Sequence, residues 1–164
     1  MDAIEALRQR RSVRAYDKDR PVSAEELETI VDCGRLAASA RNTQPWEFVV
    51  VTSAEMRRAI AEAANHGKFI ADAPACVAVF CQEGDYWLED GCAATQNMLV
   101  AARALGLGSC WVAGAKKDYA VRVAALLGAP QGMRLVSLVS VGHAAVVPAP
   151  VKRALPQVLH WERF

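Results

Sequence analysis

Apolar positions recur along this chain with two spacings, and their alternation lays out the elements. Residues 2–9 (DAIEALRQ) put Ile4 and Leu7 on one helical face and predict a short helix. Residues 12–16 predict an extended stretch, with a turn from Asp17 to Pro21. Ser23 with Glu26 three residues later forms a capping box. It opens a helix to about Leu36, with Leu27, Ile30, Val31 and Gly34 facing inward. Four apolar runs rich in β-branched residues predict buried strands at 47–52, 75–81, 108–113 and 135–142. Between them, helices are predicted from Ser53 to near His66, from Glu89 to Leu105 and over 117–127. Gly106 and Gly128 stand just past the last two of these, where a helix ends most easily. The tail 148–164 carries three prolines and predicts an extended arm.

Buried strands alternating with helices predict an α+β fold, a three-layer helix–sheet–helix sandwich, with 1–164 as a single domain. The alternation favours parallel neighbours, while strand order stays open. Residues 92–104 are apolar on almost every side. A helix of that kind is expected to be buried all round, which in so small a domain predicts a partner subunit.

Composition narrows the function classes. The chain has 164 residues, 53% hydrophobic and 23% charged, as a globular domain does. Its 19 basic and 18 acidic residues balance to +1, which argues against a general nucleic-acid or membrane-surface binder. The basic residues are nevertheless uneven: Arg8, Arg10, Arg11, Arg14 and Arg20 all fall at the start. Cys33, Cys76, Cys81, Cys92 and Cys110 show no CxxC spacing, so reduced thiols in a cytoplasmic protein are expected. His66, His143 and His160 lack ligand spacing, and no metal is expected. No apolar run is long enough to span a membrane, and Glu5, Arg8 and Arg10 break any signal-peptide core. Nucleophile-elbow, Walker and G-x-G-x-x-G patterns are absent.

Three segments carry candidate chemistry. In an extended Arg10-Arg11-Ser12-Val13-Arg14, side chains alternate, so Arg10, Ser12 and Arg14 share a face. Two guanidinium forks and a hydroxyl suit a phosphate dianion. A solvated basic helix end accounts for the same residues. The loop from Ser39 to Trp46 offers amides and hydroxyls that match the edge of a polar planar ring, though a plain hydrophilic connection has the same make-up. Gly114 leaves the third strand where backbone could approach a flat ligand.

Taken in order, RRSVRAY, ASARNTQPWEFVVV, DAPACVAVF, DGCAATQNMLVAARALGLGSCW and the tail VGHAAVVPAPVKRALPQVLHW resemble the nitroreductase family of flavoenzymes over nearly the whole chain. The resemblance implies an intertwined homodimer with one FMN in each of two interface pockets. It implies that Arg10, Ser12 and Arg14 contact the phosphate and ribityl end, with Arg11 adjacent. Asn42 and Gln44 would lie near the ring and ribityl chain. Ser39, Ala40 and Arg41 would reach in from the partner subunit. Val112, Ala113 and Gly114 would run beside flavin N5, with a backbone N–H of Ala113 or Gly114 bonding to it. Lys152 and Arg153 would close on the phosphate, and His66 matches loosely a polar position near the ring. Arg10, Arg11 or Arg41 would place positive charge at the N1–O2 edge.

The implied activity is electron transfer from NADH or NADPH, through FMN, to a nitroaromatic, quinone or similar flat acceptor. No catalytic side chain is implied, because the cofactor carries the chemistry. A flavin-binding or flavin-processing protein with incidental turnover, or a dimeric module without activity, are the alternatives. One departure stands out. Larger relatives insert lid helices where this chain has only residues 82–88, leaving Tyr86 and Trp87 as candidates to roof the site.

Overall fold

The computed structural model describes residues 1–164. Trp46–Val51 (β1), Ala75–Gln82 (β2), Gly108–Ala113 (β3) and Met133–Gly142 (β4) form one sheet in the order β1-β2-β4-β3. Every neighbouring pair is antiparallel. The parallel neighbours favoured by the alternation are therefore a misreading, and the connections explain it. Ala54–Ala63 (α3) and Ala120–Leu126 (α5) each return the chain to the end of the sheet it left, so the next strand runs backward. Of strands consecutive in sequence, only β2 and β3 run parallel, with β4 between them, and Trp87–Ala104 (α4) makes that crossover.

Strand β2 shows why the sheet needs helices on both faces. Its odd positions Val77, Val79 and Cys81 pack with Ile30, Met98 and Leu99. Its even positions Cys76, Ala78 and Phe80 pack with Ile60, Ala61 and Val123. The two-residue period thus sends alternate side chains into two separate cores. Ala24–Arg35 (α2) and α4 cover one face, α3 and α5 the other. The helix–sheet–helix sandwich stands.

Local signals held where they depend on neighbours in sequence. Ser23 Oγ accepts from the Glu26 N–H at 3.1 Å, and Glu26 Oε2 accepts from the Ser23 N–H at 2.8 Å, closing the capping box on α2. Those bonds hold the Glu26 carboxyl below its usual range. Gly106, with φ at 83°, takes the left-handed position that stops α4. Boundaries moved elsewhere. The helix expected to reach His66 ends at Ala63, and a separate 3-10 turn spans Lys68–Ala71. The helix expected from 117 begins at Ala120.

Two helices leave surface uncovered within one chain. In Ala3–Gln9 (α1) the buried residue is Ala6, whereas Ile4 and Leu7 are 58% and 51% exposed. Helix α4 is not enclosed on all sides: Gln96 is exposed, and Cys92, Ala93, Asn97 and Val100 are half-buried. The sheet, α1 and α2 cover only part of its circumference. The tail 148–164 adds no strand. It lies exposed, with one 3-10 turn at Leu155–Gln157.

Candidate functional site

Strand β3 is an edge strand, and the chain start docks along it. Ser12 bridges Ser109 in parallel, and the Val13 N–H donates to the Ser109 carbonyl at 3.0 Å. Val13 is buried against Gly108, where an added Cβ would lie 2.9 Å from the valine side chain. Tyr16 donates to the Val13 carbonyl at 2.8 Å and shares a 2.7 Å bond with Ser140 Oγ. The extended segment is therefore fixed to the sheet, with its arginines projecting beside it.

Arg10, Arg11, Ser12 and Arg14 line a cavity of about 480 Å³ together with Pro148, Pro150 and Lys152 of the arm. No carboxylate lines it. The ion pairs of the chain, Lys18–Asp72, Arg35–Asp32 and Arg134–Glu83, involve none of these cations. Such a wall holds uncompensated positive charge and favours a polyanion. Arg153 does not join it; its guanidinium donates to the Gln157 carbonyl at 2.5 Å.

Arg14 also opens onto a second cavity of about 460 Å³ along the free edge of β3. Its guanidinium carbon sits 5.9 Å from the Phe69 ring centroid, within cation–π reach. Val112 and Ala113 line this cavity and Gly114 does not. The Gly114 N–H donates to the Val136 carbonyl at 2.9 Å, so it is already engaged. The glycine itself is explained by packing, since a Cβ there would stand 2.5 Å from Leu135 Cγ. In an antiparallel ladder, hydrogen-bonded and free positions alternate. With Gly114 bonded inward, the N–H of Ala113 points out from the sheet edge. Tyr119 fixes that corner by donating to the Ala113 carbonyl.

His66 and Lys117 also border this space. Lys68 borders it too, but its ammonium donates to the Ala61 and Glu62 carbonyls at 3.0 and 3.1 Å and so closes α3. Burial pushes the Cys110 thiol up, against the pull of Arg14. Burial thus disfavours the thiolate, the form in which a cysteine attacks.

The 39–44 loop lies elsewhere in this chain. Ala40, Arg41 and Thr43 line a third cavity, of about 290 Å³, with Tyr86, Trp87 and Asp90. It shares no residue with the other two cavities. Tyr86 and Trp87 therefore stand beside the loop, not over the β3 edge. The loop is strained: Arg41, Asn42 and Gln44 have φ of 53°, 56° and 48°. Each such position costs about 1–3 kcal/mol and persists only when its surroundings enforce it. The enforcement is visible. Asp90, only 6% exposed, accepts from the Ala40 N–H at 2.9 Å and from Thr43 Oγ1 at 3.5 Å. Ser39 Oγ accepts from the Gln44 N–H at 3.0 Å.

Sequence reasoning missed Phe69, Lys117, Tyr119 and Asp90. For Lys117 and Tyr119 a signal existed, since a polar loop directly after a buried strand is where site residues gather. Asp90 gave none; the residue whose N–H it accepts lies 50 positions away.

The nitroreductase family model matches residues 7–89 and 65–143. An Archaeoglobus fulgidus protein, provisionally named NADH dehydrogenase/NAD(P)H nitroreductase, is 36% identical over 149 residues, 87% of this chain and 85% of its own. A Parabacteroides distasonis protein with the same provisional name has a crystal structure that superposes with a TM-score of 0.92 at 28% identity, covering 99% of this chain and 98% of its own. A Desulfovibrio desulfuricans structure, described provisionally as a nitroreductase in complex with FMN, superposes with a TM-score of 0.83 at 30% identity, covering 100% and 98%. The family-model match and the Archaeoglobus relative, with a sandwich that superposes on solved members, place the chain in the nitroreductase family.

Proposed function

We propose that this chain is an FMN-dependent oxidoreductase that passes electrons from NADH or NADPH to flat acceptors such as nitroaromatics and quinones. The observation that carries the reading is the carboxylate-free wall of Arg10, Arg11, Ser12, Arg14 and Lys152, continued through Arg14 into the cavity along β3. That donor set fits FMN. A phosphate needs convergent cations and a hydroxyl, and a ring nitrogen needs a free donor at the sheet edge. When bound, FMN supplies two-electron redox, taking hydride from the nicotinamide at N5 and handing electrons to the acceptor.

The chain's residues bind, orient and tune. Arg10, Ser12, Arg14 and Lys152 hold the phosphate end, with Arg11 alongside. The outward N–H of Ala113 orients the ring edge, and Val112 packs beside it. Arg14 and Lys117 supply positive charge that favours the anionic form of a reduced ring. Ser39, Ala40, Arg41, Asn42 and Gln44, held in shape by Asp90, serve the pocket of a second subunit. Gly114 contributes packing beside the strand, and Arg153 orders the arm next to Lys152.

The working unit is a homodimer in which 1–164 acts as one domain and 148–164 as its arm. Support comes from apolar surface that one chain leaves open: Ile4 and Leu7 on α1, the half-buried Cys92, Ala93 and Val100 of α4, and Trp161 at 79% exposure. No helix is long and apolar enough to cross a membrane. The cysteines are all unpaired, which suits the reducing cytoplasm.

The test is direct. Purified protein should take up FMN stoichiometrically and bleach when NADH or NADPH is added, then recover with a quinone. A protein that binds FMN but is not reduced by either nicotinamide would remove the enzymatic reading.

A further inference from the structure

Residues 10–14 have two sides, and the side facing away from the phosphate wall opens onto another cationic pocket. Val13 turns toward it, and the long Arg11 side chain, whose Nη1 donates to the Arg8 and Arg10 carbonyls at 2.8 and 2.9 Å, borders both this pocket and the wall. The pocket holds about 180 Å³ and is bordered by Arg11, Arg20, Arg103 and His143. These residues come from the chain start, the turn before α2, the last turn of α4 and the exit of β4. We propose that this pocket is a separate anion site that takes a phosphate-sized oxyanion.

Charge and hydrogen bonding both point that way. No carboxylate lines the pocket. Glu26 is the acid whose field reaches His143, and its carboxylate is already engaged by the Ser23 N–H and hydroxyl at 2.8 and 3.0 Å. Arg103 has one answering side chain, Gln9, whose neutral Oε1 accepts at 2.5 Å. The Arg103 Nε is buried without any partner. A buried donor left unmade is costly, so Arg103 keeps hydrogen-bonding capacity that Gln9 alone does not fill. A favourable helix dipole explains a cation at the end of α4. It does not explain why two further arginines and a histidine border the same pocket. Like charges around one small pocket repel, and a tetrahedral oxyanion turns that repulsion into bidentate bonding.

The site is distinct from the FMN cavity, sharing only Arg11 with it. The inference rests on the proposed function only in assigning that other cavity to FMN. The phosphate group has two possible sources, free phosphate and the 2′-phosphate of NADPH, and both present the same chemistry.

The experiment is a calorimetric titration of flavin-loaded protein with inorganic phosphate at low ionic strength, on wild type, Arg103→Gln and Arg20→Gln. Arg20 is exposed on a turn, so its replacement leaves folding intact. One saturable site per chain is expected, weakened about tenfold or more in either variant, as loss of a charged hydrogen bond implies. No saturable binding in the wild type, or equal affinity in all three proteins, overturns the proposal. Competition of phosphate with NADPH but not with NADH identifies the coenzyme as the source; competition with neither identifies free phosphate. If the protein takes up no flavin, the proposed function fails on its own. The two variants still report on this pocket, because neither residue lines the other cavity.

Discussion

Arg10 and Arg14 stand without counter-charge in the folded chain, held rigid by a segment pinned to β3. Replacing both with alanine should weaken FMN binding by about 100-fold or more, from two lost charge-assisted contacts. A fluorescence titration of FMN reads this, and unchanged affinity would contradict the assignment. Asp90 makes a second residue-level prediction. Asp90→Asn swaps one carboxylate oxygen for a donor facing the Thr43 hydroxyl and weakens the clamp on a loop with three left-handed residues. FMN affinity should fall about tenfold, in line with one charged hydrogen bond. If the melting temperature falls but FMN affinity does not, Asp90 is structural only. The arginine face was legible in the sequence because alternation is a local property of extended backbone. Asp90 was not, because its bond to Ala40 exists only once α4 lies beside the loop. The packing demand at Gly114 was not legible, because Leu135 meets it only across the folded sheet.

At the level of elements, periodicity located all four strands and the main helices within a few residues, yet gave the sheet the wrong direction. Strand direction depends on which end of the sheet a connecting helix returns to, and nothing in a helix's own sequence encodes that. The tight joint between β3 and β4 is testable. Gly114→Ala would force a methyl to 2.5 Å from Leu135 Cγ and should destabilise the fold by about 1–3 kcal/mol, the usual cost of overpacking. Thermal melting reads it as a loss of several degrees. A melt identical to wild type would mean the strands separate easily. Strand β2 carries a pH signature as well. Burial pushes the Cys76 thiol from 9.0 up to about 12, so the folded state favours the neutral form. The unfolded chain ionises first as pH rises. That stabilisation is whole below pH 9.0 and is lost progressively toward pH 12. Urea melts at pH 8 and 10 should show stability falling over that interval. Rising stability would contradict the burial.

For the molecule as a whole, the proposed homodimer would cover the apolar surface that one chain leaves open on α1, α4 and the arm. Light scattering at micromolar concentration should give twice the chain mass, and a monomer there would contradict the shared-pocket reading. The apolar helix at 92–104 pointed to a partner in sequence. Its orientation did not follow from sequence, because one chain's sheet, α1 and α2 cover part of the same circumference. The order of family-like segments conveyed the fold, while the separation of the 39–44 loop from the arginine wall emerged only in three dimensions. The central claim is that the arginine wall and the β3 edge form an FMN site, and the most direct test is the visible spectrum of the protein after FMN is added and the excess removed. The account predicts flavin absorbance at one FMN per chain, bleached by NADH or NADPH. Protein that emerges colourless from that treatment would contradict it.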